Sequence, residues 1–196
     1  RHNSYENRHM GPELKNFKGY YVIEFEEPFV SGAIWDDSAA SPNSETQARI
    51  NDKTTEARGS RVGAFATFSA QRTSAVKIRV GSSFISLEQA RENLRREIPS
   101  WNFAAVAEQT KQAWEKSLAR VEIEGGTPDE QTIFYTAMYH SLLFPRRFDE
   151  YGRYYSAFDE KIHEGESFND YSMWDTFRAQ HPLLTIIAPE KVNPMI

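Results

Sequence analysis

The chain has 196 residues, 39% hydrophobic, 26% charged and 13% aromatic, which is the make-up of a folded protein with room for one large domain or parts of two, not of a disordered chain. A net charge of -5 with no basic stripe argues against a nucleic-acid partner, and no apolar run of about 18 residues is present to make a membrane span. There is no cysteine, so disulfides, thiolate catalysis and cysteine-based metal sites are excluded.

The chain begins Arg1-His2-Asn3-Ser4 without an initiator methionine or a signal peptide. It ends Asn193-Pro194-Met195-Ile196 after an apolar helical stretch. Both ends read as cuts through a longer protein. Gly19 to Phe25 is rich in aromatic and β-branched residues, which predicts a strand ended by Pro28. Asp36 to Ser60 is polar and predicts a long surface excursion. Val62 to Phe68 and the alternating Val76-Lys77-Ile78-Arg79-Val80 predict two further strands, paired antiparallel.

The pattern changes at Ser86. A capping serine with Gln89 three residues on predicts a helix that stops before Pro99. Phe103, Val106, Ala107, Thr110, Ala113, Trp114 and Leu118 recur at helical spacing and predict a second helix over 102–118. Gly125-Gly126 then precedes Thr127-Pro128-Asp129-Glu130, a cap followed by proline and early acids. This third helix is expected to reach about Phe144, with Ile133, Phe134, Ala137, Met138, Ser141 and Leu142 on one face. Tyr151 to Phe158 predicts a short hairpin, and Met173 to Ile187 a helix interrupted near Pro182. Strands followed by helices point to two regions of an α+β chain, not to alternating βαβ units.

Four stretches carry a more specific signal. They are Ser82-Ser83-Phe84-Ile85-Ser86-Leu87-Glu88-Gln89-Ala90, Glu97-Ile98-Pro99-Ser100-Trp101, Ile133 to Ser141, and Tyr171-Ser172-Met173-Trp174-Asp175-Thr176-Phe177-Arg178-Ala179-Gln180-His181-Pro182. In this order and spacing the set resembles glycoside hydrolase family 92, the calcium-dependent exo-α-mannosidases. The resemblance implies a multidomain α+β fold. Residues 1–84 would be the end of an antiparallel β-sandwich, 85–126 a helical linker, and 127–196 the first helices of an (α/α) six-hairpin barrel.

It also implies release of terminal α-linked mannose with inversion, of the α-1,2-mannosidase type. Inversion needs an acid and a base whose carboxyls stand roughly 6.5–9.5 Å apart. No stretch here matches the family's acid, base or metal-ligand motifs. No catalytic residue and no metal ligand is therefore assigned to this chain, and the calcium ligands are expected outside it. The implied partners are an α-mannoside glycan and the C-terminal remainder of the catalytic domain, and the implied location is periplasmic or extracellular. A non-catalytic carbohydrate-binding module is the alternative.

What carries over onto residues present is Trp174-Asp175, which looks like the family's pair at the terminal-mannose subsite. An indole face suits the C–H surface of a hexose, and a carboxylate suits two of its hydroxyls. Outside the motif, Trp174 reads as core, and Asp175 as a charge favoured near a helix N-terminus. Arg178, one turn on, is placed to pair with Asp175. His140 reads as a hydrogen-bonded buried histidine and His181 as structural. His140, His163 and His181 lack the spacing of a zinc site, and Asp159, Asp170 and Asp175 lack that of a calcium loop.

Overall fold

The structure is a computed structural model that describes residue 14 and residues 16–36, 49–51, 55–59, 61–72 and 74–196. The opening Arg1-His2-Asn3-Ser4 and most of the polar stretch after Asp36 lie outside them. The chain divides into two compact units, residues 23–80 and residues 1–22 with 81–196. Strands β1 (Tyr20–Phe25) and β5 (Ile78–Ser83) pair with each other, and each runs from one unit into the other.

In the unit of residues 23–80, β2 (Ser31–Asp36) is the centre of a three-stranded antiparallel sheet, between β3 (Arg49–Asn51) and β4 (Val62–Thr67). The sequence reading missed β2 and β3. Two of the six residues of β2, Ser31 and Gly32, are weak strand formers, so only its later half carries the apolar signal. Register explains a glycine here. Trp35 faces Gly63 across the sheet, and a Cβ on Gly63 would sit 2.5 Å from the indole. Phe25 packs its ring on Phe68 at 5.2 Å and on Phe29 at 6.4 Å. Beside them Arg79 pairs with Glu24 at 2.7 Å and Lys77 with Glu26 at 3.0 Å.

In the other unit, α1 (Leu87–Glu97) starts where its cap predicts, the Ser86 hydroxyl accepting from Gln89 N. Ala90 and Leu94 are its buried apolar positions, at 0% and 2% exposure, beside the buried polar Gln89 and Asn93. They press on Gly81, where a Cβ would lie 2.4 Å from the Ala90 carbonyl oxygen and 2.6 Å from Leu94 Cβ. Gly81→Ala is therefore expected to lower stability by about 1–3 kcal/mol through overpacking, read as a lower denaturant midpoint at unchanged slope.

Helix α2 (Phe103–Leu118) is capped by Asn102. Helix α3 (Pro128–Leu142) opens with a full capping box between Thr127 and Glu130. Gly125 and Gly126, at φ +80 and +76, make the turn between these helices. The apolar faces expected of both are largely open. No residue of α2 is buried, Phe103 and Ile133 are 81% and 69% exposed, and Met138 alone on α3 is buried. Periodicity marks a face that can be covered; among the described residues little covers these two.

The core of this unit is Met138 with Leu184, Ile187, Ala188 and Met195, ringed by Leu118, Val121, Leu142, Phe168, Tyr171 and Val192. Helix α4 (Met173–Thr176) and helix α5 (Gln180–Ile187) replace the single interrupted helix expected from sequence. The break lies at residues 177–179, ahead of Pro182. That proline sits in the first turn of α5, where no intrahelical N–H bond is owed. Two 3₁₀ turns, Pro189–Lys191 and Asn193–Met195, follow. No helix among the described residues is long and apolar enough to cross a membrane.

Between α3 and α4 come β6 (Arg146–Arg147), β7 (Arg153–Ser156), β8 (Lys161–Glu164) and β9 (Phe168–Asn169), with β6 paired to β9 and β7 to β8, both antiparallel. The expected hairpin at Tyr151–Phe158 is thus one strand and part of its turn, with the returning strand further on. Its base is tied to α1. Glu150 accepts from Phe84 N and from Asn93 Nδ2, both at 2.7 Å, and Arg153 donates to the Gln89 side chain.

Asp149, its side chain fully buried, holds this turn by accepting from Arg147, Gly152 N and Ser167 N. Burial pushes its carboxyl up, but the bonds from Arg147, Ser167 N and Gly152 N outweigh that and hold it below the ordinary 3.8. A carboxylate held low stabilises the fold above its unfolded value, and this contribution is lost as pH falls through and below it. Asp149→Asn is expected to unfold earlier than wild type at pH 7, with the gap closing below about pH 4. Paired urea melts at pH 7 and pH 3 check this.

Candidate functional site

Trp174 and Asp175 are neighbours on α4, and the path of the chain into that helix explains their position. Strand β9 ends at Asn169. Asp170 follows in the left-handed region at φ 64, its N–H donating to the Asn169 side chain at 2.8 Å. Its carboxylate receives Arg146 Nε at 2.5 Å. Tyr171 donates its hydroxyl to the Met195 carbonyl and lays its ring against His181 at 5.5 Å. The Ser172 carbonyl then accepts from Asp175 N, Thr176 N and Thr176 Oγ1, closing the single turn of α4 with Thr176 inward.

That geometry turns Trp174 outward, 71% exposed among the described residues. Asp175 is exposed as well, and among the described residues its carboxylate has no hydrogen-bond or ion-pair partner. The expected Asp175–Arg178 pair does not form. α4 ends before Arg178, and the Arg178 guanidinium lies over the rings of Trp174 at 5.7 Å and Phe177 at 5.2 Å instead. The result is an exposed indole in contact with a cation and followed in the chain by an exposed carboxylate. Such a patch can stack on an apolar face and accept two hydroxyl hydrogen bonds. It cannot by itself perform two-carboxylate acid–base chemistry.

The remaining candidates fall elsewhere. His140 is exposed and tilts against Tyr139 at 5.7 Å, which corrects its reading as a buried histidine. His181 is buried at 6% exposure, with neither ring nitrogen hydrogen-bonded. His163 pairs with Asp159 at 2.9 Å and stacks on Tyr154. No three His, Asp or Glu side chains among the described residues come together as a metal cradle. Among the described residues no carboxylate cluster is thus offered to calcium, and no step below runs through it.

Open cavities among the described residues of this unit lie away from the α4 turn. One, of about 580 Å³, is lined by Arg96, Trp114, Arg120, Tyr151 and Lys191 among others, and one of about 600 Å³ by Leu118, Pro128, Tyr135 and Tyr139 among others. Neither is lined by Trp174 or Asp175. In the first, Arg120 is already engaged by Glu190 and the Ile187 carbonyl. The tethers that flank α4, Arg146 to Asp170 and the Gln180 amide to the Ser141 and Phe144 carbonyls, were not read from sequence. They rest on two-residue strands and side-chain-to-carbonyl bonds, which leave no periodic signal.

Comparison with known proteins bears on the whole chain. Residues 89–196 match the family model of the glycosyl hydrolase family 92 catalytic domain, and residues 3–83 that of the family's N-terminal domain. A family GH92 inverting mannosidase from Bacteroides thetaiotaomicron is 33% identical with a TM-score of 0.79, over 92% of this chain and 24% of that one. A gh92 family glycosyl hydrolase, ccman5, is 25% identical with a TM-score of 0.79, over 91% of this chain and 23% of that one. An uncharacterized secreted glycosidase of Arthroderma benhamiae is 31% identical over 109 residues, 54% of this chain and 14% of that protein. The chain thus spans a quarter or less of the length of these relatives.

Proposed function

The chain belongs to glycosyl hydrolase family 92, and from that premise we propose that it supplies the terminal-mannose subsite of a secreted exo-α-mannosidase acting with inversion, of the α-1,2-mannosidase type. The observation that carries this reading is the pairing of an exposed indole, Trp174, with an exposed and unpartnered carboxylate, Asp175, inside the segment matched by the family's catalytic domain. The similarity to an inverting mannosidase of Bacteroides thetaiotaomicron supports the choice of sugar and of stereochemistry. The similarity to a secreted glycosidase of Arthroderma benhamiae supports secretion.

In this reading residues 1–84 end a β-sandwich, 85–126 form a linker, and 127–196 begin an (α/α) barrel. The indole carries the C–H face of the terminal mannose, and Asp175 holds two of its hydroxyls. The acid, the base and the residues that would hold a calcium ion belong, in this reading, to the remainder of the catalytic domain, outside this chain. The role of Trp174 and Asp175 is to fix the ring so that leaving group and water stand on opposite faces.

The test is the complete enzyme acting on the methyl glycoside of an α-1,2-linked mannobiose with calcium present, so that the leaving group carries no free anomeric centre, followed by proton NMR. The first mannose released is expected to be the β anomer. Release of the α anomer would remove inversion, and no mannose from any α-mannoside would remove the activity.

A further inference from the structure

Helix α4 is too short to orient Trp174 and Asp175 by itself. It has four residues, and Ser172 gives it no side-chain cap. One turn of helix holds its shape only through what is fixed around it. Here both flanks are fixed to one stretch, the exit of α3. Upstream, Asp170 takes Arg146 Nε, and Arg146 is the register partner of Asn169 in the β6–β9 pair. Downstream, Gln180 Nε2 donates to the Ser141 carbonyl at 3.2 Å and to the Phe144 carbonyl at 2.5 Å. Residues 141–146 thus receive both ends of the turn.

We propose that Arg146, Asp170 and Gln180 are positioning residues that clamp both ends of the Trp174–Asp175 turn to the exit of α3 and so set the angle at which indole and carboxylate meet the sugar. The inference rests on the reading of Trp174 and Asp175 as a sugar platform. The ion pair is exposed, its two side chains 64% and 38% accessible. Exposed pairs contribute little to global stability, so the clamp's effect falls on the placement of the turn.

The experiment compares variants of the complete enzyme on an α-mannoside. Arg146→Ala is expected to lower kcat/KM about tenfold, mainly through KM, with Tm within about 2 °C of wild type. Arg146→Lys, which keeps the charge, recovers part of the loss. Asp170→Asn, which tolerates the same left-handed backbone, reproduces the loss without removing the arginine. In a Trp174→Ala, Asp175→Ala background, Arg146→Ala adds less than about twofold, because both residues it positions are gone. Unchanged kcat/KM in Arg146→Ala, with Trp174→Ala impaired, overturns the clamp alone, as does full multiplication of the two losses. A Trp174→Ala enzyme with wild-type kcat/KM overturns both the clamp and the sugar platform.

Discussion

Asp175→Ala in the complete enzyme is expected to lower kcat/KM for an α-mannoside about 100-fold while leaving the unfolding midpoint nearly unchanged. The magnitude follows from the chemistry proposed for the site. A charged acceptor that holds two hydroxyls loses two charge-assisted hydrogen bonds, each worth about 1.5–3 kcal/mol, and part of that is returned by water. The stability side follows from the fold. The Asp175 side chain is exposed and has no partner among the described residues, so its removal breaks no contact within the chain. Asp175→Asn keeps an acceptor and loses the charge, and is expected to fall between the two. The competing account of Asp175, a charge that favours the start of α4, predicts the reverse pattern: a lower midpoint with kcat/KM unchanged. Steady-state kinetics and a thermal melt on the same preparations separate the two.

Leu94→Ala is expected to cost about 2–5 kcal/mol, the largest stability effect of any single change considered. Leu94 is 2% exposed, as deeply buried as any large side chain among the described residues. Its Cβ lies where the space over Gly81 closes, against the strand that leads into α1. Truncation there leaves a cavity between a strand and a helix, each held in place by other bonds. Asn93 donates to the Ser82 carbonyl and to Glu150, so the walls cannot fold inward without breaking them. The measurement is urea unfolding of the variant, with a lower midpoint at unchanged slope. A loss below about 1 kcal/mol would show that the site collapses freely and that α1 is not anchored by this contact.

These effects show which parts of the molecule were legible in the sequence. Ser86 and Thr127 each cap a helix where the local pattern places it, because a cap is a short-range device read within four residues. Strand β1 was legible from its aromatic and β-branched run. Strand β2 was not, since it begins Ser31-Gly32. The open faces of α2 and α3 mark the limit of periodicity: Ile133 and Phe103 satisfy a helical stripe, yet stand in solvent. The division of 173–187 into two helices turned on Phe177 to Ala179, which bear no breaker, whereas the proline that suggested a break is accommodated in a first turn.

The candidate site was legible only through its motif. Trp174 alone would have been read as core, and nothing within its own turn announces 71% exposure. Its outward direction comes from the inward turn of Thr176 and from the bonds that Ser172 accepts. The same holds for Arg178. Helical spacing offered it to Asp175, but the helix ends first and the guanidinium settles on aromatic rings.

The most direct measurement is a crystal structure of the complete enzyme with mannose bound. The account predicts a single hexose whose C–H face lies on the Trp174 indole, with two of its hydroxyls donating to the Asp175 carboxylate. A mannose bound in the catalytic domain with neither Trp174 nor Asp175 in contact would contradict it.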